Sequence, residues 1–435
     1  MNAYRGPTSN VGRGPRAGET ISPILRHSAR QERGAFGPQP QPLPNSRQTR
    51  HVVLTIDKIV HGGLGLAYAE RGAVFVSDSI PGERIQAEVV GNRARCAFAR
   101  PTELIEPSPD RRQPFCPYAA LCGGCDWQHI AYGRQVALKR EILLDCLRRQ
   151  GRLELVPPVE EFRSAETRYR IRAQFKVAPD GDAVGFYRRG SNDIVALDAC
   201  PLLAEPLEHF LTRLTAAGPT LGLSVRQVKA IAGTGDSIAS SPTIPGLSSP
   251  GARIEVGGRT FEVRGDSFFQ GNRYLLEKLG RWAEDKLPGG ECVDLYGGVG
   301  FFSIMLSRCF SRIRLVEAEP SLVRLARRNF AANGLDHCTA ESAQAERYAA
   351  SATQGPDCLI VDPPRQGLTR AVREGIARLR PRAVLYVACD PATQARDVGE
   401  LVRNHGYVFT HCALFDLYPN THHLESAVVL ARRGP

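Results

Sequence analysis

Apolar and polar positions follow two different rhythms along the chain, and the rhythm changes near residue 266. Beyond it, apolar runs of strand length, Glu291–Tyr296, Ile313–Glu317, Asp357–Val361 and Ala383–Ala388, each lead into a helical pattern. That alternation predicts an α/β domain over residues 266–435, built on a doubly wound parallel sheet. Over residues 51–107, His51–Ile56, Val74–Val76 and Ile85–Val90 are rich in strand formers. They are punctuated by His61-Gly62-Gly63-Leu64-Gly65 and Ile80-Pro81-Gly82-Glu83. Short strands between Gly and Pro turns predict a small β-barrel. Residues 108–265 mix both rhythms and predict an α+β segment. In Tyr132–Gln150, Leu138, Ile142, Leu143, Cys146 and Leu147 fall on one helical stripe, while Tyr169–Lys176 and Ala183–Tyr187 read as strands. Ala232–Gly251, rich in Ser, Gly and Pro, reads as a long loop.

Residues 1–50 have neither rhythm. They hold seven Pro, six Gly, eight Arg and two Glu, too little apolar surface to offset the entropy of ordering, so the reading there is a disordered basic tail. That tail carries +6 of the net +11. The overall basic balance favours a polyanionic partner. Arg84, Arg93, Arg95 and Arg100 are candidates to face phosphate, against the plainer reading of a solvated basic edge. No run has the apolar length needed to span a bilayer, and no secretory segment follows Met1. A cytoplasmic protein is therefore expected. Its twelve cysteines then read as reduced thiols, metal ligands or catalytic groups, and not as a disulfide framework.

Four stretches can carry chemistry. Asp294-Leu295-Tyr296-Gly297-Gly298-Val299-Gly300 follows a predicted strand and opens a helix, where glycines let a ligand approach the backbone. It is not the dinucleotide fingerprint. With Glu317 ending the next strand, a carboxylate placed to accept ribose hydroxyls, it suits a nucleoside ligand without a pyrophosphate. Asp362-Pro363-Pro364-Arg365 ends another strand in a rigid loop able to clamp a planar base, or merely stops that strand. Cys116, Cys122 and Cys125, with a distant Cys200-Pro201, have the spacing of a metal loop. Three close thiolates and one remote suit an iron–sulfur cluster at least as well as zinc. Cys389 closes the buried run Val384–Ala388 at an Asp-Pro turn: a candidate nucleophile, or an inert strand-end thiol. Glu425 precedes the last apolar strand and matters only if the sheet brings it to Cys389. The paired His422 and His423 suggest a metal but lack a third ligand nearby.

Taken together, and in this order along the chain, these motifs resemble the S-adenosylmethionine-dependent RNA uracil-C5 methyltransferases. They are joined by Asp266-Ser267-Phe268-Phe269-Gln270-Gly271-Asn272 and Leu424-Glu425-Ser426. The closest resemblance is to the branch acting on 23S ribosomal RNA, which has an N-terminal TRAM barrel and a [4Fe-4S] cluster. It covers about residues 51–435 and implies a class I, Rossmann-like α/β methyltransferase domain (266–435). Ahead of that domain it implies a TRAM- or OB-like barrel (51–107) and a central RNA-binding α+β domain with the cluster loop (108–265). By position, Cys389 would be the nucleophile and Glu425 the base. Gln270, Tyr296, Phe301, Glu317, Ser342 and Asp362 would line the S-adenosylmethionine pocket, and Phe268 would touch the target base. Cys116, Cys122, Cys125 and Cys200 would hold the cluster. RNA is the implied partner and a monomer the implied state. One departure stands out: the family has Asn after its cysteine, and this chain has Asp390. The alternatives are the transfer-RNA branch, an RNA cytosine-C5 methyltransferase, or an RNA-binding protein without turnover.

Overall fold

The computed structural model describes residues 50–93, 95–221 and 225–433. The basic tail predicted over 1–50 thus lies, but for Arg50, outside the described residues. The N-terminal domain is β-rich. Strands β1 (His51–Thr55), β2 (Lys58–Ile59), β3 (Gly65–Ala69), β4 (Gly72–Val76), β5 (Arg84–Arg93) and β6 (Cys96–Glu106) form one sheet in the order β1-β5-β6-β4-β3-β2. Its core is small: Leu54, Ile56, Ala67, Val74, Val76, Ile85, Ala87 and Ala99. Two of the candidate phosphate contacts are paired on its surface, Arg84 with Glu106 at 3.2 Å and Arg100 with Glu88 at 2.7 Å.

An irregular segment holding Cys116, Cys122 and Cys125 follows, then helix α1 (Tyr132–Arg149) and strand β7 (Val159–Phe162). Next comes a five-stranded sheet of β8 (Arg172–Val177), β9 (Val184–Tyr187), β10 (Ile194–Ala196), β11 (Gln227–Ala232) and β12 (Ile238–Ser241), in the order β10-β9-β8-β11-β12. Helix α2 (Glu205–Leu221) covers one face through Leu207, Phe210, Leu211 and Leu214. The long loop read over Ala232–Gly251 is therefore corrected, since β12 lies inside it as an edge strand. Its Ile-Ala-Ser-Ser sequence has little β-branched character, so propensity hid a strand that tertiary pairing makes.

The hairpin β13 (Gly251–Val256) and β14 (Arg259–Arg264) turns at Gly257 and Gly258, both at positive φ, and leads into the largest sheet. There, α3 (Leu276–Glu284), β15 (Gly290–Leu295), α4 (Phe301–Met305), β16 (Phe310–Glu317), α5 (Pro320–Ala332), β17 (Cys338–Ser342), α6 (Ala345–Ser351), β18 (Cys358–Val361), α7 (Arg370–Leu379), β19 (Ala383–Ala388) and α8 (Pro391–Asn404) alternate as expected. Strands β20 (Tyr407–Phe415) and β21 (Glu425–Arg432) complete the chain, and the sheet order is β17-β16-β15-β18-β19-β21-β20-β7. The expectation of a wholly parallel sheet is corrected at this end: β21 runs antiparallel between β19 and β20. A short connection from β20 to β21 reverses the chain without a crossover helix, which makes an antiparallel pair the accessible solution. β7, from the middle of the chain, adds itself parallel to β20.

Both faces of this sheet are covered, so its central strands are apolar throughout, and all six residues of β19 are buried. Helix α1 lies on the same side as α8, with Val136, Leu138, Ile142, Leu143 and Leu147 in one core with Ala395, Val398 and Leu401. At its centre the Lys139 ammonium, with no solvent exposure, donates to Asp416 Oδ1 at 2.6 Å and to the Tyr418 carbonyl at 2.9 Å. Removing one partner leaves a buried charge uncompensated. Lys139→Met is expected to cost about 3–5 kcal/mol in denaturant unfolding, against far less for the exposed Arg370–Glu374 pair.

Candidate active site

The sheet brings two distant residues together. In the β19–β21 ladder Ala388 stands opposite Ser426, so Cys389 and Glu425 are the next pair, at the mouth of the same two strands. Glu425 is buried, 2 % exposed, and is not a solvated strand end. Asp390 caps α8: its Oδ1 accepts from the N–H groups of Ala392 (3.1 Å) and Thr393 (2.9 Å), with Pro391 in the first turn. Gln394, one turn on, donates to the carbonyls of Tyr386 (2.9 Å) and Ser426 (3.3 Å) and ties the helix to both strands. The Asp362-Pro363-Pro364-Arg365 loop is held beside it, where Thr393 Oγ1 donates to the Arg365 carbonyl at 3.0 Å.

Acidic groups crowd this mouth. Burial first, then the Glu425 charge, pushes the Cys389 thiol up to about 12, while Arg365 pulls it down. Burial, then Asp362, holds Glu425 well above the ordinary carboxylate range, again opposed by Arg365. Asp362 is pushed to about 7 by burial and by Asp294. Among these groups Arg365 offsets the burial of Cys389 and Glu425, and the raised carboxyls favour a cation beside them.

The glycine loop follows β15, the strand beside β18 in the same sheet. Gly298 and Gly300 have φ of +55° and +91°, and Tyr296, without that freedom, also sits at +62°. A Cβ on Gly297 would lie 2.4 Å from the Leu315 side chain, which would have to shift to admit a larger residue in the turn from β15 to α4. Asp294 Oδ2 accepts from the Ser303 N–H (3.1 Å) and Oγ–H (2.6 Å), while its buried Oδ1 has no partner. Gln270 Oε1 is likewise buried and unpartnered. Glu317 accepts from the N–H groups of Gly298 (3.1 Å) and Glu319 (2.8 Å), and Ser342 stands opposite it at the end of β17. Orphaned acceptors beside strand-end carboxylates fit a donor that carries ammonium, sulfonium and ribose hydroxyl groups. Phe301, the first residue of α4, is buried behind the turn, with its ring edge-on to Phe269 at 5.8 Å.

Burial leaves Asp294 at about 7, far above an unfolded carboxyl. Because the folded value is the higher one, this group stabilises below the unfolded value, and the contribution is lost as pH rises through about 7. Asp294→Asn removes that ionisation. In the absence of methyl donor, its stability relative to wild type is expected to be greater at pH 8 than at pH 5, by about 2.5 kcal/mol in denaturant melts.

Cys116, Cys122, Cys125 and Cys200 line one apolar cavity with Gln128, Arg170 and Leu202. The Gly124 N–H points at Cys122 Sγ (3.4 Å). Among the described residues no group of three or more His, Cys, Asp or Glu side chains is arranged to hold a metal ion. His422 is otherwise engaged: its Nδ1–H donates to Asp126 Oδ2 at 2.5 Å and its backbone N–H to Oδ1 at 3.0 Å. Phe268, 53 % exposed, carries the Arg172 guanidinium 5.8 Å above its ring. Arg365, Asp126 and His61 escaped sequence reasoning as site residues. Each comes from a different segment, and only Arg365 lay in a motif already singled out.

The family model described as tRNA (Uracil-5-)-methyltransferase matches residues 251–433, which span the hairpin and the catalytic sheet. The chain is similar to a 23S rRNA (uracil(1939)-C(5))-methyltransferase of Alkalilimnicola ehrlichii, 31% identical across 88% of this chain and 96% of that protein. A protein of the same description from Pseudomonas aeruginosa is 32% identical across 90% of this chain and 95% of its own length. The chain belongs to the S-adenosylmethionine-dependent RNA uracil-C5 methyltransferase family. A solved Pyrococcus abyssi tRNA (uracil-54, C5)-methyltransferase, in complex with S-adenosyl-L-homocysteine, shares the fold. Its TM-score is 0.70 at 23% identity, covering 87% of this chain and all of that one. This RNA (uracil-5-)-methyltransferase-type enzyme thus transfers a methyl group to a pyrimidine C5 in RNA. No helix among the described residues is long and apolar enough to cross a membrane.

Proposed function

We propose that this methyltransferase modifies a uridine in 23S ribosomal RNA, with Cys389 as nucleophile and Glu425 as base. The observation that carries the residue assignment is the Ala388–Ser426 register, which presents both side chains at one strand mouth. Uracil C5 is a poor nucleophile until a thiolate adds at C6 and drives density to C5. Cys389 forms that bond, and C5 then accepts the methyl group. Glu425 removes the C5 proton, the ring regains its double bond, and the Cys389–C6 bond breaks to release the thiolate. S-adenosylmethionine supplies the methyl group when bound. Gln270, Asp294, Glu317 and Asp362 would hold its polar groups, with Tyr296 and Ser342 at the edges of the pocket. Phe268 offers an exposed face on which an unstacked base can rest. The ribosomal assignment is supported by relatives aligned over nearly their whole length. The family description and the archaeal fold neighbour keep transfer RNA as the second reading. Mass mapping of both RNAs from a deletion strain separates them: loss of one methyl-uridine from 23S RNA supports the first, and loss from transfer RNA alone overturns it.

The N-terminal domain is, in this reading, a TRAM-like barrel, and the four cysteines hold a [4Fe-4S] cluster. The support is chemical. Burial pushes the Cys125 thiol up to about 12, so bare thiolates there need a metal, and the Arg170 guanidinium in the same wall opposes a cluster's negative charge. Four thiols lining one hollow suit a [4Fe-4S] cluster. Anaerobically purified protein is expected to be brown, with near-stoichiometric iron and sulfide, and Cys125→Ser to lose the colour. Colourless protein containing one zinc would reverse this assignment.

A further inference from the structure

The N-terminal domain reaches the catalytic strand ends through one loop. Residues 60–64 close on themselves, Val60 N–H donating to the Leu64 carbonyl and Gly63 N–H to the Val60 carbonyl, each at 2.9 Å. Trp127 Nε1–H donates to the Gly63 carbonyl at 3.3 Å and fixes the loop from the other side. Two contacts follow. His61 Nε2 stands 3.5 Å from Asp390 Oδ2, the oxygen that the α8 cap leaves over. Gly63, at φ +83°, lies so close to His422 that a Cβ there would be 2.5 Å from the His422 Cβ. The loop thus touches the residue after Cys389 and the residue three before Glu425.

We propose that loop 60–64 is a positioning element of the catalytic centre, in which His61 holds Asp390 turned away from the Cys389 sulfur. The inference rests on the reading of Cys389 as nucleophile. With only its Oδ1 cap bonds left, the Asp390 carboxylate can turn its free Oδ2 toward the adjoining thiol, which opposes formation of the thiolate. His61 faces Asp390, His422 and Arg365, and burial is the largest influence on it and lowers its basicity. The lowered basicity favours the neutral ring, so at neutral pH His61 stands beside the Asp390 carboxylate as a polar neighbour and not as a full counter-charge. An RNA-binding module that served affinity alone would need none of these contacts.

The test is steady-state methyl transfer by the full-length enzyme carrying His61→Asn, His61→Gln, Asp390→Asn, and His61→Asn with Asp390→Asn. His61→Asn, whose amide is too short to reach, is expected to lower kcat about tenfold, with KM for RNA within about twofold of wild type. His61→Gln, whose amide N–H can reach Asp390, is expected to restore most of kcat. In the Asp390→Asn background the His61→Asn loss is expected to shrink to about twofold or less, because no carboxylate remains to restrain. A rise in KM with kcat unchanged, or an equal loss in both backgrounds, overturns the proposal. Trapping of 5-fluorouridine RNA by the wild-type protein reports separately on Cys389. An absent adduct there would remove the nucleophile assignment, whatever the His61 variants do.

Discussion

Replacing Cys389 with alanine is expected to abolish covalent trapping of 5-fluorouridine RNA and to lower methyl transfer by about 10⁴-fold or more, as loss of a nucleophile does elsewhere. The size of the effect follows from what the sulfur does, since without addition at C6 the ring has no activated C5. RNA affinity should hardly change, because the thiol is one small, half-buried contact in a large surface. The pH dependence has a sign. With the thiol pushed up to about 12 in the free enzyme, almost all of it is protonated at neutral pH. Adduct formation is expected to speed up as pH rises and to slow as it falls. Arg365 lowers the thiol, so Arg365→Ala should shift that profile to higher pH and not flatten it. An adduct that persists in Cys389→Ala, measured by gel shift after denaturation, removes Cys389 from the mechanism.

How much of this was legible in the sequence depended on how local the chemistry is. The glycine turn after Asp294 could be read because a strand, a tight turn and a helix start are contiguous. The same holds for the Asp-Pro turn after Cys389, whose cap is made by the next residue. Glu425 could not be assigned from its neighbours. Its burial comes from β21 sliding antiparallel between β19 and β20, and a one-residue slip would turn it to the other face. β7 illustrates the same limit, because its Val-Glu-Glu-Phe sequence has no feature that names β20 as partner. β12 was missed for a local reason, its weak strand propensity. His61 shows a third kind of limit: a histidine in a glycine turn is unremarkable until a separate domain is laid against Asp390.

Glutamine at position 425 separates the two halves of the reaction. Glu425→Gln keeps the shape and a hydrogen-bonding group but removes the carboxylate proposed to take the C5 proton. Addition and methylation can still occur, so the expected species is a methylated RNA bound through C6 to Cys389, stable to denaturation, with turnover lowered about 10²- to 10⁴-fold. This differs from the Cys389 variant, in which no adduct forms, and that difference makes the pair of experiments informative. The wild-type acid limb has a sign as well. Burial and Asp362 hold Glu425 well above the ordinary carboxylate range, so the basic form is lost as pH falls through that raised value. Product release should therefore fail at a higher pH than an exposed glutamate would dictate, and the methylated adduct should accumulate on the acid side even in the wild type. The Arg365 charge opposes the shift, so Arg365→Ala should move this limb to still higher pH. Free, normally released product from Glu425→Gln, quantified by mass spectrometry of the protein–RNA fraction, would show that another group takes the proton. The buried glutamate would then owe its place to the fold alone.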